Sequence, residues 1–302
     1  MPMVTSQFDN ITKDISLNIK VATDAAFGIW DKEWSKIVKR ESTDLYKEQM
    51  LNYEGNGVAP VKTEGAKSTT TRIYEGHLES FVQSTYSFDM PVSWEQRKFA
   101  YKNYKFSNQM GMYQARSMSL RFEYSGVSPI DNGYTAGAYA GNDAVAYFSA
   151  AHTWVSGGIY SNLLTASDLN KSSLESAMQS IASATMEQSI PAQLKAGTIH
   201  IGWENIFVLP ELLKSSLDPE TANNTYNVFQ DFGLTKNLNH YVADTDGWTV
   251  DTQVNSRTMF VAQDPKMKSY IDEPTNNLVE NIFASLVTGF HNQLGSFGNQ
   301  GS

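Results

Sequence analysis

The spacing of apolar residues predicts two helices in the first half of the chain. After an extended start, Asp24 can cap a segment in which apolar side chains recur at helical spacing as far as Val38. From Trp94 to Tyr124 they recur three, four or seven positions apart. At about 1.5 Å per residue this second helix would be about 45 Å long, which suits a spine rather than a compact globule. We expect its apolar stripe to contact the core; it consists of Phe99, Phe106, Met110, Tyr113, Leu120 and Tyr124.

Between these two segments the pattern changes to that of a long hairpin over residues 53–91. Residues 54–57 have turn chemistry, and residues 64–68 show no apolar period. Residues 69–74 favour a strand, and residues 81–90 alternate between apolar and polar side chains. A hairpin with a polar, mobile tip cannot build its own core, so something else must cover it. We therefore interpret it as an arm that lies on a neighbouring copy.

Short strands and helices alternate in the second half of the chain. Ser172-Ser173-Leu174-Glu175 matches a capping box and opens a helix that runs towards Met186. Apolar runs predict a strand over 144–148, a strand pair around Gly202 that is halted by Pro210, a helix over 211–216, a mixture of turns and strand residues over 234–251, and a core strand over 258–262. Residues 278–290 fit either a helix or a strand buried on both faces, and we slightly favour the helix. The tail 295–302 is expected to fray.

Composition and charge exclude several classes of protein. The chain of 302 residues has 23 basic and 32 acidic side chains, a formal net charge of −9, which argues against holding nucleic acid by neutralising phosphates. The absence of cysteine removes disulfides, thiolate metal sites and cysteine nucleophiles. No apolar run approaches the roughly 18 residues of a membrane span, and the N-terminus lacks the features of a secretory signal, so we expect synthesis in the cytosol.

A search for chemistry finds no convincing site. The histidines at 77, 152, 200, 240 and 291 are scattered. His152, close to Ser149, is better explained as a structural histidine than as half of a hydrolase site. Asp244 and Asp246 begin an EF-hand pattern that fails at its later positions, so a turn rich in aspartate is the better interpretation. We therefore assign no catalytic, cofactor-binding or metal-binding residue and expect a protein that is not an enzyme.

Several short motifs follow the predicted long helix in a definite order. The first is Phe148-Ser149-Ala150-Ala151-His152, which resembles the Phe-Ser/Thr-x-x-His stretch that follows the long helix in many major capsid proteins of tailed bacteriophages. The segment Asn162-Leu163-Leu164 leads into the next helix, and residues 205–212, Asn-Ile-Phe-Val-Leu-Pro-Glu-Leu, look like the family's (V/L)VxPxxL step. Residues 238–251, ending in Trp248-Thr249-Val250-Asp251, are similar to the segment before its last strands. Each motif alone is weak, and their order over nearly the whole chain carries the resemblance.

The resemblance implies an α+β protein with the Hong Kong 97-type phage capsid fold. Its parts would be an N-terminal arm (1–52), an extended hairpin loop (53–92), a peripheral domain with the spine helix (93–195), an axial domain (196–254) and a return to the peripheral domain (255–302). It would make residues 278–290 largely strand. The family's self-catalysed crosslink is not carried over, because neither Lys62 nor Lys67 nor any asparagine can be aligned with it. No long, charged scaffolding segment is present, so scaffolding would be a separate protein or already removed.

The function implied by the resemblance is structural. The protein would assemble as hexamers and pentamers into an icosahedral phage head that encloses double-stranded DNA without sequence-specific binding. It would be made in the host cytoplasm and reside in the virion, with portal, scaffolding and possibly cement or decoration proteins as further partners and with no cofactor and no membrane. The basic group of Lys32, Lys36, Lys39 and Arg40 could give local contact with DNA, although acidic neighbours favour a solvated face.

Two other functions stay open on the sequence alone. An encapsulin-like protein compartment shares the fold and differs in its cargo, so neighbouring genes for terminase and portal, or for a cargo enzyme, would distinguish the two. A non-capsid enzyme with an unrecognised site is the third alternative. An electron micrograph of the purified protein would show shells in the first two cases and none in the third.

Overall fold

The computed structural model describes residues 5–55, 57–70, 73–99, 104–137, 139, 141, 143–215, 226–255 and 257–301. The helices in this part of the chain are α1 (Thr5–Ala26), α2 (Trp94–Phe99), α3 (Tyr104–Asp131), α4 (Lys171–Ser183) and α5 (Val208–Lys214). The strands are β1 (Lys39–Ser42), β2 (Lys47–Glu54), β3 (Tyr74–Val82), β4 (Ser84–Val92), β5 (His152–Thr153), β6 (Ile159–Tyr160), β7 (Ala196–Ile201), β8 (Thr235–Leu238), β9 (Trp248–Thr252), β10 (Arg257–Asp272), β11 (Asn277–Phe290) and β12 (Ser296–Asn299).

Two four-stranded sheets organise the chain. The first has the order β1-β10-β11-β4, with β1 parallel to β10 and the other pairs antiparallel, and α3 packs on one of its faces. The second has the order β12-β9-β7-β8, with β7 parallel to β8, and shares an apolar core with α4 and α5. A short link joins β9 of the second sheet to β10 of the first, so the two sheets lie next to each other at this point.

The first helix lies upstream of its predicted position. Helix α1 ends at Ala26, and residues 27–38 form turns and a 3₁₀ turn, Glu33–Lys36, in place of the predicted helix. The apolar spacing after Asp24 was nevertheless a core signal, because Trp34 and Ile37 are buried against α3 and the first sheet. Helix α1 packs along α3 at Gly111, where a Cβ atom would lie 2.5 Å from the carbonyl oxygen of Ile19.

The long helical segment is confirmed, but its core-facing side was predicted correctly only in part. The segment consists of α2 and α3, and residues 100–103 between them lie outside the described part of the chain. Met110 of the predicted stripe is buried. Phe99, Tyr113 and Tyr124 of the same stripe are exposed. The buried face also includes small and polar residues, among them Gly111, Gln114 and Ser125, which a search for large apolar side chains cannot detect; its large members are Met110, Met118, Phe122, Val127 and Ile130.

The predicted hairpin exists with different strands. Strand β2 pairs with β3, Lys47 opposite Val82 and Glu54 opposite Tyr74, so the hairpin spans 47–82. The alternating strand that follows is β4, which pairs with β11 in the first sheet instead of returning along the hairpin. Thr69 and Thr70 have no regular structure, Thr71 lies outside the described residues, and the strand begins at Tyr74.

Several predictions in the second half also need correction. Helix α4 is confirmed, although its capping box uses Asn170 and Ser173 in place of Ser172 and Glu175. Residues 144–148 form turns that bury Tyr147 and Phe148 and contain no strand. After β7 the chain forms a 3₁₀ turn, Trp203–Ile206, and then α5, so the second strand of the predicted pair is wrong and Pro210 lies in the first turn of a helix, where it is tolerated. Ser216, the last residue of the helix predicted over 211–216, lies outside the described residues.

The two ambiguous C-terminal segments are both strands. Strand β11 occupies residues 277–290, so the slight lean towards a helix was wrong and the strand implied by the resemblance is confirmed. Strand β12 pairs with β9 and all four of its residues are buried, so the prediction of a frayed tail was wrong over 296–299. The core strand predicted at 258–262 is confirmed as part of the longer β10.

The isolated subunit exposes more surface than a compact chain of its size. Its solvent-accessible surface is 16872 Å². A compact monomer of this mass would expose about 12,700 Å². The excess of about 4,200 Å² is of the size that a subunit buries against several neighbours, since a standard interface covers about 800 Å² on each partner.

Candidate functional site

Exposed aromatic and apolar side chains lie at the two ends of α5. We call residues 196–254 the α5 lobe. At the N-terminal end of the helix, Trp203 and Phe207 are exposed, and Phe207 is 82% accessible. At the other end, Tyr226, Val228 and Phe232 are exposed on a second 3₁₀ turn, Val228–Phe232. Exposed aromatic side chains in such number are typical of a contact surface.

The sequence folds this way because α5 is amphipathic and its C-terminal end is fixed. Leu209 and Leu212 point into the core that the lobe shares with α4. The buried side chain of Asn227 donates hydrogen bonds from Nδ2 to the carbonyl oxygens of Leu212, at 2.7 Å, and Ser215, at 2.9 Å. These bonds satisfy carbonyl groups that a helix end leaves unpaired. They also hold Tyr226, Val228 and Phe232, which we call the second aromatic group, beside the helix.

The hairpin is anchored to its own subunit along its strands, and most firmly where β2 ends. Glu54 is buried, and its carboxylate accepts the backbone N–H groups of Val155 and Ser156, both at 2.7 Å. The next residue, Gly55, donates its N–H to Glu187 at 2.8 Å. Beyond this clamp every residue from 58 to 70 is exposed. The structure thus fixes the base of the loop and leaves its tip without contacts that would bury it.

A buried ionic network joins the two sheets. Asp251 of β9 forms an ion pair with Arg257 of β10 and accepts hydrogen bonds from His200 Nε2 at 2.7 Å and Ser296 Oγ at 2.8 Å. Asn237 donates to His200 Nδ1 at 2.8 Å, which leaves the ring proton on Nε2 facing Asp251. Burial alone would raise the pKa of Asp251, but the positive charge of Arg257 and the His200 contact outweigh it and lower the pKa. The network therefore holds a charged carboxylate at the junction.

Two glutamates, Glu33 and Glu123, link the segment between α1 and β1 to α3. The buried carboxylate of Glu123 on α3 accepts the backbone N–H of Trp34 at 2.8 Å and that of Glu33 at 3.2 Å. The Glu33 side chain in turn contacts His240, with 2.7 Å between Oε1 and Nδ1. Burial raises the pKa of Glu123 to about 7, the Trp34 hydrogen bond opposes the rise, and the nearby Glu33 charge adds to it.

This pKa predicts that the subunit loses stability as the pH rises towards neutrality. The folded state binds the Glu123 proton more tightly than the unfolded state, whose carboxyl titrates near 4.5. The stabilisation is complete below that value and is lost as the pH rises through about 7. Asp244, whose pKa is raised to about 6 by burial, contributes in the same pH range, so we expect the Glu123→Gln variant to remove part of the difference in melting temperature between about pH 5 and about pH 8. Glu204→Gln, at an exposed position, is the control, and an unchanged pH profile in Glu123→Gln would contradict the prediction.

The residues that the sequence analysis considered for catalysis, metal binding or DNA contact form ordinary structural contacts. His152 is buried, with Nδ1 2.6 Å from Asp143 Oδ2 and Nε2 3.2 Å from Asn162 Oδ1, which fits a structural histidine. Asp244 accepts the N–H of Gly247 within a turn. Of the basic group, Lys39 pairs with Glu41 and Arg40 with Asp264, so part of its charge is neutralised.

Within the described part of the chain, no group of three or more histidine, cysteine, aspartate or glutamate side chains is arranged to hold a metal ion. No described helix is long and apolar enough to cross a membrane. The sequence search missed the buried ionic network and the Glu33–Glu123 pair. Except for Asp251 and Arg257, which are six residues apart, their members are far apart in sequence, so no local motif could have revealed them.

Comparison with known proteins identifies the fold. No protein-family model matches the sequence, and no curated protein matches it. The asymmetric unit of the bacteriophage PhiM1 mature capsid matches with a TM-score of 0.58 and 11% identity, over 90% of this chain and 87% of that chain. The capsid of Myoviridae phage XM1 matches at 0.55 and 10%, over 90% and 92%. A virus-like particle from Pyrococcus furiosus matches at 0.51 and 8%, over 93% and 97%. The chain therefore has the α+β fold of phage capsid proteins.

Proposed function

We propose that this chain is the major capsid protein of a tailed bacteriophage, a structural protein that assembles through hexamers and pentamers into an icosahedral head around double-stranded DNA. The observation that carries the proposal is the combination of the capsid fold with uncovered apolar surface. This surface lies on the α5 lobe, on the hairpin, and at Phe99, Tyr113 and Tyr124 of α2 and α3. A monomer with this surface would be prone to aggregate. Copies of the same chain, related by symmetry, would cover it.

In this proposal the elements have separate roles. The extended loop is the hairpin 47–82, in place of the range 53–92 expected from the sequence, and the N-terminal arm precedes it. Strand β4 and residues 93–195 and 255–302 form the peripheral domain, and the α5 lobe is the axial domain. The lobes of neighbouring copies meet around the hexamer and pentamer axes through Trp203, Phe207 and the second aromatic group. The exposed loop tip, residues 58–70, lies on an adjacent copy.

The role requires neither catalysis nor a cofactor, because hydrophobic burial drives assembly. The protein would be made in the host cytoplasm and would reside in the virion, with portal, scaffolding and cement or decoration proteins as partners. A net charge of −9 per chain cannot neutralise packaged DNA, so the shell would enclose DNA without binding it tightly.

An encapsulin-like compartment is the second candidate, and one observation favours it. The virus-like particle from Pyrococcus furiosus matches over 93% of this chain and 97% of its own. The two candidates differ in cargo and share the self-assembling shell. Neighbouring genes for terminase and portal support the phage head, whereas a neighbouring gene for a cargo enzyme supports the compartment.

Sedimentation with electron microscopy tests the shell. At high protein concentration, with scaffolding protein supplied, the wild-type chain should form closed megadalton particles. A chain that stays monomeric under every such condition contradicts the proposal.

The double variant Trp203→Ala/Phe207→Ala tests the role of the α5 lobe. Both side chains are exposed in the subunit, so we expect its stability to change by less than about 1 kcal/mol. Buried aromatic residues at an interface each contribute about 2 kcal/mol or more, about 30-fold in affinity, so assembly should fall steeply. Val21→Ala on α1, whose side chain is about as exposed as that of Trp203, is the control. Normal assembly of the double variant would show that this surface is not a contact between copies.

A further inference from the structure

The net charge of the chain is concentrated in the α5 lobe. Residues 196–254 contain eight acidic side chains and two basic ones, Lys214 and Lys236, which gives a formal charge of 2 − 8 = −6. The whole chain carries −9, so the remaining residues carry only −3. Two thirds of the net charge therefore lies in about a fifth of the chain.

Some of this charge is at the edge of the exposed aromatic surface. Glu204 directly follows Trp203, Glu211 is on α5, and Asp231 directly precedes Phe232, and all three are exposed. Asp231 accepts a hydrogen bond from the Tyr226 hydroxyl at 2.9 Å. In the part of the chain that the structure describes, none of the three carboxylates forms an ion pair with a basic side chain. Each exposed aromatic group thus has an uncompensated negative charge beside it.

We infer that the closure of neighbouring α5 lobes into rings depends on cations that screen Glu204, Glu211 and Asp231. The inference rests on the proposed function. The occupant is a second copy, because the subunit exposes an excess of about 4,200 Å² and the structures that share the fold are capsids and particles. The aromatic side chains supply the attraction, and the carboxylates oppose it.

The physical basis is the range of electrostatic repulsion. At about 0.01 M ionic strength the screening length is about 30 Å, so all the lobes around a ring axis would repel one another. At about 0.15 M it falls to about 8 Å, and only directly facing charges still interact. Apolar contact is short-ranged and survives this change, so salt should shift the balance towards assembly.

The experiment measures the lowest subunit concentration at which particles form, in NaCl at about 0.01 M and about 0.15 M and in MgCl₂ at about 0.05 M, which has the same ionic strength as the higher NaCl concentration. We expect the wild-type chain to need at least about tenfold more protein at the lower NaCl concentration, and MgCl₂ to reverse this requirement. The variant Glu204→Gln/Glu211→Gln/Asp231→Asn should lose most of the salt dependence. The control Asp14→Asn/Asp24→Asn/Glu95→Gln removes the same number of exposed charges from α1 and α2 and should keep it.

Each outcome is decisive. If wild type and lobe variant form particles with the same salt dependence, the inference is overturned and the proposed function stands. If both triple variants lose the salt dependence, the effect belongs to net charge and the assignment to the lobe is wrong. If no variant and no wild-type chain forms particles at any salt concentration, the proposed function fails as well.

Discussion

Deleting residues 57–66 should reduce particle formation at least about tenfold and leave the subunit folded. None of the residues to be removed belongs to a helix or strand, and residues 58–66 are all exposed, so the deletion removes almost no buried apolar surface. The clamp of Glu54 on Val155 and Ser156 precedes the deletion and stays intact. Circular dichroism should show unchanged helix and strand content, and sedimentation should show the loss of particles.

A full-length control separates loop length from loop contacts. Substituting Val58, Pro60 and Val61 with serine keeps the chain length and removes the largest exposed apolar groups of the tip; Val61 is 97% accessible in the subunit. If these side chains lie on a neighbouring copy, this variant should also assemble poorly. A deletion that unfolds the subunit would show instead that the loop supports the core, and would contradict our description.

Replacing Asp251 with alanine should destabilise the subunit by about 3–5 kcal/mol, the loss expected when one partner of a buried ion pair is removed. The change leaves the fully buried guanidinium of Arg257 without its counter-charge. It also removes the acceptor for His200 and Ser296, which lie on the two strands beside β9. Chemical denaturation should report the loss as a lower midpoint.

The surface pair Arg40–Asp264 is a matched control, because it is also a close arginine–aspartate pair but is partly exposed. Asp264→Ala should cost no more than about 1 kcal/mol. The double variant Asp251→Ala/Arg257→Met should recover part of the loss, since no buried charge is then left unpaired. If Asp251→Ala and Asp264→Ala destabilise the subunit equally, burial does not make the Asp251–Arg257 pair more important for stability than the surface pair.

Much of the architecture could be predicted from the sequence because it depends on local pattern. The long helical segment, α4, the hairpin and the core strand at 258–262 all give short-range signals, and the order of motifs identified the fold that the comparison confirms. Local pattern failed where burial depends on a distant partner. The exposed face of α3 contains Tyr113 and Tyr124, whereas its buried face includes Gly111 and Gln114, because α1 and the first sheet cover that side.

The sequence by itself determined that this chain folds with helices and strands, carries no thiol chemistry and has its negative charge concentrated over residues 196–254. Only the tertiary structure decided that 278–290 is a strand, since both faces of this segment carry apolar side chains and such a pattern fits a helix as well as a strand. It also decided that the tail is ordered, because β12 pairs with β9 and Ser296 bonds to Asp251. In both cases the strand is fixed by pairing with another strand. Because such partners are distant in sequence, the local pattern of residues does not reveal them.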